Sequence, residues 1–303
     1  LQLGEMWYNS TTGKLKVTKL GIGSWATGGS YPTPTSTCGS CGSQTAALST
    51  CGGGGGAYNF TAEYNGTSWT GTNVANVKRY QLNNMAGIQT AAMVCGGRDG
   101  SVGPVPFRRS SEEYGGSTWS TGNDMLADRS ALSGVGTQTA AITFAGYQSP
   151  PNTELYDGTT FTAGVDMNAP RGNCGSVGTQ TVALNYGGEP GPKTENESWN
   201  GTSWTIETGL PVGKVGPNSW GTTTQAICSR GGTPSVSTPT ESWDGTAWSE
   251  ETACPTAKSD TGNSTAPAGT YAAAVVWGGF PGASTECFEW TMNNPSAGDV
   301  TTS

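Results

Sequence analysis

Few residues in this chain could do chemistry, and a missing type limits the rest. The 303 residues include no histidine, eight cysteines, 14 Lys and Arg, and 22 Asp and Glu. Without imidazole no Ser-His-Asp triad or Cys-His dyad can form. Cys38-Gly39-Ser40-Cys41 has metal-ligand spacing, with Cys51 nearby, but zinc takes four ligands and the fourth would have to be another cysteine. The thiols fall where other copies of an internal repeat carry Gly, Ala, Ser or Thr. That favours small buried strand residues, with a disulfide or a metal site as the open alternatives. No Asp-x-Asp-x-Asp-Gly loop suggests calcium. Two carboxylates could serve a glycosidase, yet Glu112, Glu154, Glu197, Glu241 and Glu286 recur in register, and a catalytic pair should break a repeat. The expectation is a protein that is not an enzyme and uses no cofactor or metal.

A second set of residues is periodic and basic. Ten residues after an aromatic stand Arg79, Arg129, Arg171, Lys214 and Lys258, and the sixth such position is Thr35. In a four-stranded blade this position precedes the innermost strand, so the cations would ring one mouth of an axial channel. Two like charges about 10 Å apart repel by roughly 0.4 kcal/mol in water and 1.7 kcal/mol at an effective dielectric of 20. Such a ring needs neutralising, either by the five in-register glutamates or by an anion. On the same face, the long loop Arg98–Ser110 adds Arg98, Phe107, Arg108 and Arg109 to a chain of net charge −8. These nine residues, five cations and four loop residues, are the candidate binding residues.

What must position them is a repeat of about 45 residues, the first signal to seek in a sequence. Gly136–Gly146 reads GTQTAAITFAG, and a loop then leads to TELYDGTTFT. Gln44, Gln89, Gln138 and Gln180 begin four clear copies; Thr224-Gln225-Ala226-Ile227 is a degenerate fifth, and Tyr271 replaces Gln in the sixth. Each copy reads as short strands. A Gly pair such as Gly96-Gly97 or Gly187-Gly188 ends one strand, and Asp157-Gly158, Asn65-Gly66, Asn200-Gly201 or Asp244-Gly245 makes a hairpin. An aromatic then follows at constant offset: Trp69, Trp119, Phe161, Trp204, Trp248. Four strands repeated six times is the pattern of propeller blades. The outer aromatics are expected as filler between blades rather than as a sugar-stacking box, because six equivalent positions suit packing.

The ends of the chain complete this pattern. Trp25 lies 19 residues before Gln44, and the other outer aromatics precede the start of the next copy by 20, 19, 19, 20 and 23, so Gly23–Ala26 reads as a last strand without its first three. Thr285-Glu286-Cys287-Phe288 matches a third strand that lacks a fourth. Pairing Gly23–Ala26 with Thr285–Trp290 would close the ring and remove two free edges. The expected fold is an all-β, six-bladed β-propeller over residues 23–290, its last blade shared by the N- and C-terminal strands. Residues 1–22 read as a hairpin, either an attachment segment or an extra edge strand, and 291–303 as a tail.

Gly-Gly, then Glu-x-Tyr-Asp, then an aromatic resembles the kelch repeat, which builds propellers including one domain of galactose oxidase. The spacing departs from it: four residues separate Tyr156 from Phe161, where kelch units commonly have six. The copper activity of galactose oxidase, which needs imidazole ligands, does not follow. The wording GTQTAA…GG…TExYDGTSWT is similar to repeats in tail-fibre and other appendage proteins of marine bacteriophages. That resemblance implies a virion surface module, joined to other virion proteins through residues 1–22 and binding a host-surface glycan or receptor. The alternative is a secreted, kelch-type carbohydrate-binding or interaction domain of cellular origin. The acidic balance argues against nucleic acid as a partner. The longest apolar run, Ala272–Trp277, is too short for a membrane-spanning helix, so no membrane insertion is expected.

Overall fold

The computed structural model describes residues 3–9, 11, 14–19, 22–53, 58–99, 107–146, 153–233, 235–258, 266–279, 281–292 and 296–299. Six four-stranded antiparallel blades form a six-bladed β-propeller. From the axis outward, we call the strands of each blade a, b, c and d. Blade 1 is Gly39–Ser43, Ala46–Thr50, Thr61–Tyr64 and Trp69–Thr72; blade 2 is Ala86–Ile88, Ala91–Cys95, Ser111–Tyr114 and Trp119–Thr121. Blade 3 is Ser133–Thr137, Ala140–Phe144, Glu154–Tyr156 and Phe161–Ala163, with Asn83–Asn84 added parallel to its first strand. Blade 4 is Gly175–Gly178, Ala183–Tyr186, Asn196–Trp199 and Trp204–Ile206; blade 5 is Asn218–Gly221, Ala226–Ser229, Thr240–Trp243 and Trp248–Glu251. Blade 6 takes Ala266–Thr270, Ala273–Trp277 and Cys287–Met292 from the end of the chain and Gly23–Thr27 from its beginning.

Closure therefore occurs between the chain ends, with a register two residues later than the sequence pattern suggests. Trp290 lies opposite Trp25, and Phe288 opposite Thr27. Trp290, not Phe288, takes the place of Tyr64 and Tyr156, because Ala274 pairs with it as Ala47 pairs with Tyr64. The sequence TECF imitates the third-strand wording but begins one turn of the pleat too early. A similar shift affects blade 5: Ala226 pairs with Gly221, so Thr223 rather than Thr224 holds the repeated Gln position.

The strands at the axis are the Gly- and Ser-rich a strands, and the alanine pairs of the repeat, such as Ala140-Ala141, begin strand b. The repeated Gly of the ab turn explains itself. Gly42, Gly87, Gly136, Gly178, Gly221 and Gly269 all have positive φ, between 107° and 154°. A Cβ there would stand 2.1–2.3 Å from the carbonyl oxygen four residues on, so only glycine fits. At the other end of strand a, Thr37, Gln81, Ala131, Asn173 and Gly216 share a left-handed backbone. Their peptide groups form part of a belt around the axis: Ala131 N–H donates to Gln81, Asn173 to Ala131, and Gly216 to Asn173, at 2.7–2.9 Å. Interblade hydrogen bonds thus offset the cost of the left-handed conformation, about 1–2 kcal/mol for a residue with a Cβ.

The repeated Gln is an interblade staple. Gln44, Gln89, Gln138 and Gln180 each donate from Nε2 to two carbonyls of the preceding blade, such as Ala47 and Tyr64 for Gln89. The outer aromatics are filler, as their six-fold recurrence implies. Trp119 reaches into blade 1 to donate to Thr61, Trp204 reaches into blade 3 to Thr153, and Trp25 into blade 5 to Thr252. Burying each ring between blades contributes a few kcal/mol.

Outside the ring, Leu3–Asn9 and Lys14–Lys19 form the N-terminal hairpin, and Ser296–Asp299 adds a third strand to it. The tail is thus tied back to the first strands. Removing residues 1–22 should leave the ring intact, whereas removing 1–27 takes the outer strand of blade 6. We expect the longer deletion to lower Tm by on the order of 10 °C and broaden the calorimetric transition. A chain lacking 1–27 that melts as sharply and as high as the full one would refute the closure.

Candidate functional site

The two faces of the disc differ. One carries the ab turns and cd hairpins, nearly identical from blade to blade, where Asn65, Asp157, Asn200 and Asp244 each accept backbone N–H groups two and three residues on. The other carries the bc loops and the da loops that lead into each strand a. All nine candidate residues lie on this second face, but the structure separates them into two groups.

Four of the periodic cations are structural. Arg79, Arg129 and Lys214 are fully buried and Arg171 nearly so. They pair with Glu112, Glu154, Glu241 and Glu197 of strand c in the blade that follows each loop, at 3.3 Å for Arg79, 2.6 Å for Arg129 and 3.0 Å for Arg171. The heads also cross-link neighbouring backbone: Arg79 Nη1 donates to the carbonyls of Gly96 and Ser110, both at 2.8 Å, and Lys214 Nζ to that of Pro239. Burial pushes the Glu241 carboxyl above the usual carboxylate range, and Lys214 pulls it back. Of the two ways to neutralise the cation ring, the glutamates are the one found. These four side chains cannot meet a ligand at the mouth of the channel, because their charges are already spent inside the blades.

The fifth pair is looser, for a reason visible in the register. Phe288 occupies the strand position of the other glutamates, and Glu286 sits two residues earlier, outside strand c. Lys258 reaches it at 3.6 Å, with the Glu286 side chain 41% exposed. Arg230, fully buried, fills the vacated space: its guanidinium lies 5.3 Å from the Phe288 ring centroid and its Nε donates to Cys254 Sγ.

The second group forms an accessible cluster on blade 2. Arg98 is tied by paired backbone bonds to Tyr80 and bridges to Phe107. Its guanidinium sits 5.7 Å from the Tyr80 ring centroid and 5.3 Å from that of Phe107, and Nη1 donates to Gln81 Oε1 at 3.4 Å. Arg108 pairs with Asp99, and Arg109 with Asp124 at 3.2 Å, both partly or largely in water. The cluster is therefore less basic than the sequence alone suggests, since two of its three arginines carry carboxylate partners. Sequence reasoning missed Tyr80, Gln81, Asp99 and Asp124; the first two are local to the da loop, and the acids lie 9 and 15 residues from the arginines they meet. Residues 100–106 of the loop lie outside the described residues.

No protein-family model matches the chain, and no curated protein matches it either. The fold is consistent with kelch-like repeats. Function must be argued from the geometry.

All eight cysteines are buried free thiols. Among the described residues no group of three or more His, Cys, Asp or Glu side chains is placed to hold a metal, so Cys38, Cys41 and Cys51 do not converge on one. Desolvation pushes the thiols up, to about 11 for Cys38 and Cys174 and about 12 for Cys51, Cys95 and Cys228, so they are poor nucleophiles at neutral pH. Thiol titration should find all eight in the denatured, unreduced protein and almost none in the native one. Two or fewer in the denatured state would mean that the folded chain carries disulfides.

The ion pairs give a paired expectation. Arg129→Ala leaves Glu154 buried and uncompensated and should cost about 3–5 kcal/mol in denaturant melts. Lys258→Ala breaks a pair that water already reaches and should cost under about 1 kcal/mol. Equal losses would show that burial does not set the strength of these pairs.

Proposed function

We propose that this chain is a non-enzymatic binding module of a bacteriophage virion appendage, a tail fibre or surface fibre. In this reading it meets a host-surface glycan or receptor through the bc and da loops, and residues 1–22 join it to other virion proteins. The propeller itself is compatible with a binding or interaction role: it is a closed, rigid disc, and rigid scaffolds carry specificity on loops. The observation that carries the proposal is the contrast between faces. Turns on one face repeat almost without change, whereas the other bears loops of unequal length and the Arg98–Tyr80–Phe107 stack with Arg108 and Arg109 beside it. An arginine held between two rings keeps a fixed direction and presents donors to an anionic or hydroxylated ligand. The phage origin rests on the repeat wording, together with the His-free, Gly- and Thr-rich composition.

The test is a double substitution, Arg108→Ala with Arg109→Ala. Both side chains are at least partly in water, and their pairs with Asp99 and Asp124 are surface pairs worth at most about 1 kcal/mol each. Adsorption to host cells should fall and should weaken as salt rises, while Tm stays within a few degrees of the parent. Normal adsorption by the double variant would remove this rim as the site and leave a structural or decorating role in the particle. A glycan array with released sugars measured separates binding from hydrolysis: retention without turnover agrees with the proposal, and turnover overturns it.

A further inference from the structure

The six junctions can be compared position by position, and one has a vacancy. In blades 2, 3 and 5 the head of a cation bonds to the residue after strand b, the residue before strand c, or both, and in blade 4 Arg171 bonds to Asn185 within strand b. Arg79 bonds to Gly96 and Ser110, Arg129 to Ala145, and Lys214 to Pro239. In blade 1 the corresponding residues are Cys51 and Phe60. The cation position there is Thr35, and the glutamate position two residues before Tyr64 is Ala62. Both charges are missing together. A pocket of about 390 Å³ opens at this place, lined by Thr33, Pro34, Thr35, Cys51, Tyr58, Phe60 and Ala283.

The other irregular junction shows that such a break need not leave a space. Where blade 6 puts Phe288 in the glutamate position, Arg230 and Cys254 close in on it. Among the described residues, blade 1 has no such filling. Tyr31, Trp69 and Trp277 pack together deeper in the same junction, with ring centroids 4.4–6.2 Å apart, and the pocket remains above them on the loop face. Tyr58, half exposed, stands at its edge.

The geometry points to this pocket as a subsite for a single neutral pyranose ring. It rests on the adhesin reading above only for the source of the sugar, a host-surface glycan. Among the described residues no Lys, Arg, Asp or Glu lines the pocket, and Arg79, which pairs through its backbone with Tyr58, has its guanidinium engaged by Glu112. A charged ligand would be desolvated there without a partner, which is costly. A pyranose suits the lining: its C–H face can lie on an aromatic ring of Tyr58 or Phe60 while its hydroxyls meet the Thr33 and Tyr58 hydroxyls. The volume is near the lower end of small-molecule sites, roughly 300–1,000 Å³, which fits one ring rather than an oligosaccharide. The rest of a glycan chain would leave across the same face that carries the Arg98 cluster.

The test titrates the purified full chain with methyl pyranosides of glucose, galactose, mannose and N-acetylglucosamine. Saturation-transfer NMR and tryptophan fluorescence report binding, the latter through Trp69 and Trp277 beneath the pocket. At least one sugar should bind. Tyr58→Ala should weaken it roughly tenfold, the loss expected from one aromatic face. Lys193→Ala, at the equivalent bc-loop position of blade 4, should leave it unchanged. Thr35→Arg with Ala62→Glu restores the missing pair, fills the vacancy and should abolish binding. No binding by any of the four sugars overturns the inference, and so does wild-type affinity in Tyr58→Ala. Should the filled variant fail to fold, Tyr58→Ala against Lys193→Ala decides. Because the readout is a defined sugar on purified protein, the outcome is independent of whether the Arg108 and Arg109 rim mediates adsorption.

Discussion

A guanidinium or ammonium group taken out of water costs several kcal/mol unless a carboxylate goes with it, and the loop face of this propeller is built around that constraint. Each da loop must pass from the outer edge of one blade to the axis of the next. Four of the six are held on the way by one long side chain that enters the following blade and meets strand c. Arg79, Arg129, Arg171 and Lys214 do this from four loops, and each glutamate partner stands at one register position of its strand. The pair is worth little as an attraction, because the gain is offset by desolvation. Its effect is on uniqueness: a loop that arrived one residue out of register would bury a charge with no partner.

The remaining joints show that the blades meet through different groups in different places. Four junctions use a Gln amide across the ab-turn face, and these lie between blades 6 and 1, 1 and 2, 2 and 3, and 3 and 4. Where Thr223 and Tyr271 replace Gln, other contacts take over. Tyr186 donates its hydroxyl to Ile227 of blade 5 at 3.0 Å, and Trp25, Trp220 and Trp290 pack together between blades 5 and 6. The strand-c aromatic divides one blade earlier, since blade 4 combines Gln180 with Trp199. Tyr64, Tyr114 and Tyr156 reach a glutamate of the preceding blade, whereas Trp199, Trp243 and Trp290 donate to the ab-turn carbonyl of their own blade. One closed geometry is thus satisfied by two hydrogen-bonding solutions.

The blade count, the strand order and the closure between chain ends were legible because they depend on period, turn residues and aromatic offset, all local in sequence. Register at the degenerate copies was not. TECF around Glu286 carries the third-strand wording, yet pairing of Trp277 with Cys287 and Ala274 with Trp290 displaces it by two residues. Strand register is set by which aromatic fills the interblade space, a tertiary property, and Trp290 wins that place over Phe288. The cations illustrate a different limit. Their period and their equal number of in-register glutamates were plain, but whether they faced a ligand or a carboxylate depended on the direction of the side chains. The pocket beside Tyr58 left only a faint trace, the exception at Thr35; its counterpart Ala62 becomes informative once the glutamate position is known.

Such exceptions bear on where binding can reside in a repeat protein. A feature present at every junction is constrained by the ring as a whole, because altering it at one joint strains the neighbours on both sides. Arg129 cannot be both the buried partner of Glu154 and a free donor to a ligand. Groups released from that duty are found where the repeat is longer, as at Arg98 and Phe107, or where its charges are absent, as at Thr35 and Ala62. Both sites lie on the face of the bc and da loops, and Tyr58 of blade 1 and Arg108 of blade 2 hold the same position, each bridged to the following da-loop residue. A pocket in one blade and a cationic, aromatic edge in the next then lie on one face of the ring. The shape of that face is set by the ring, and its chemistry by the two places where the ring does not repeat.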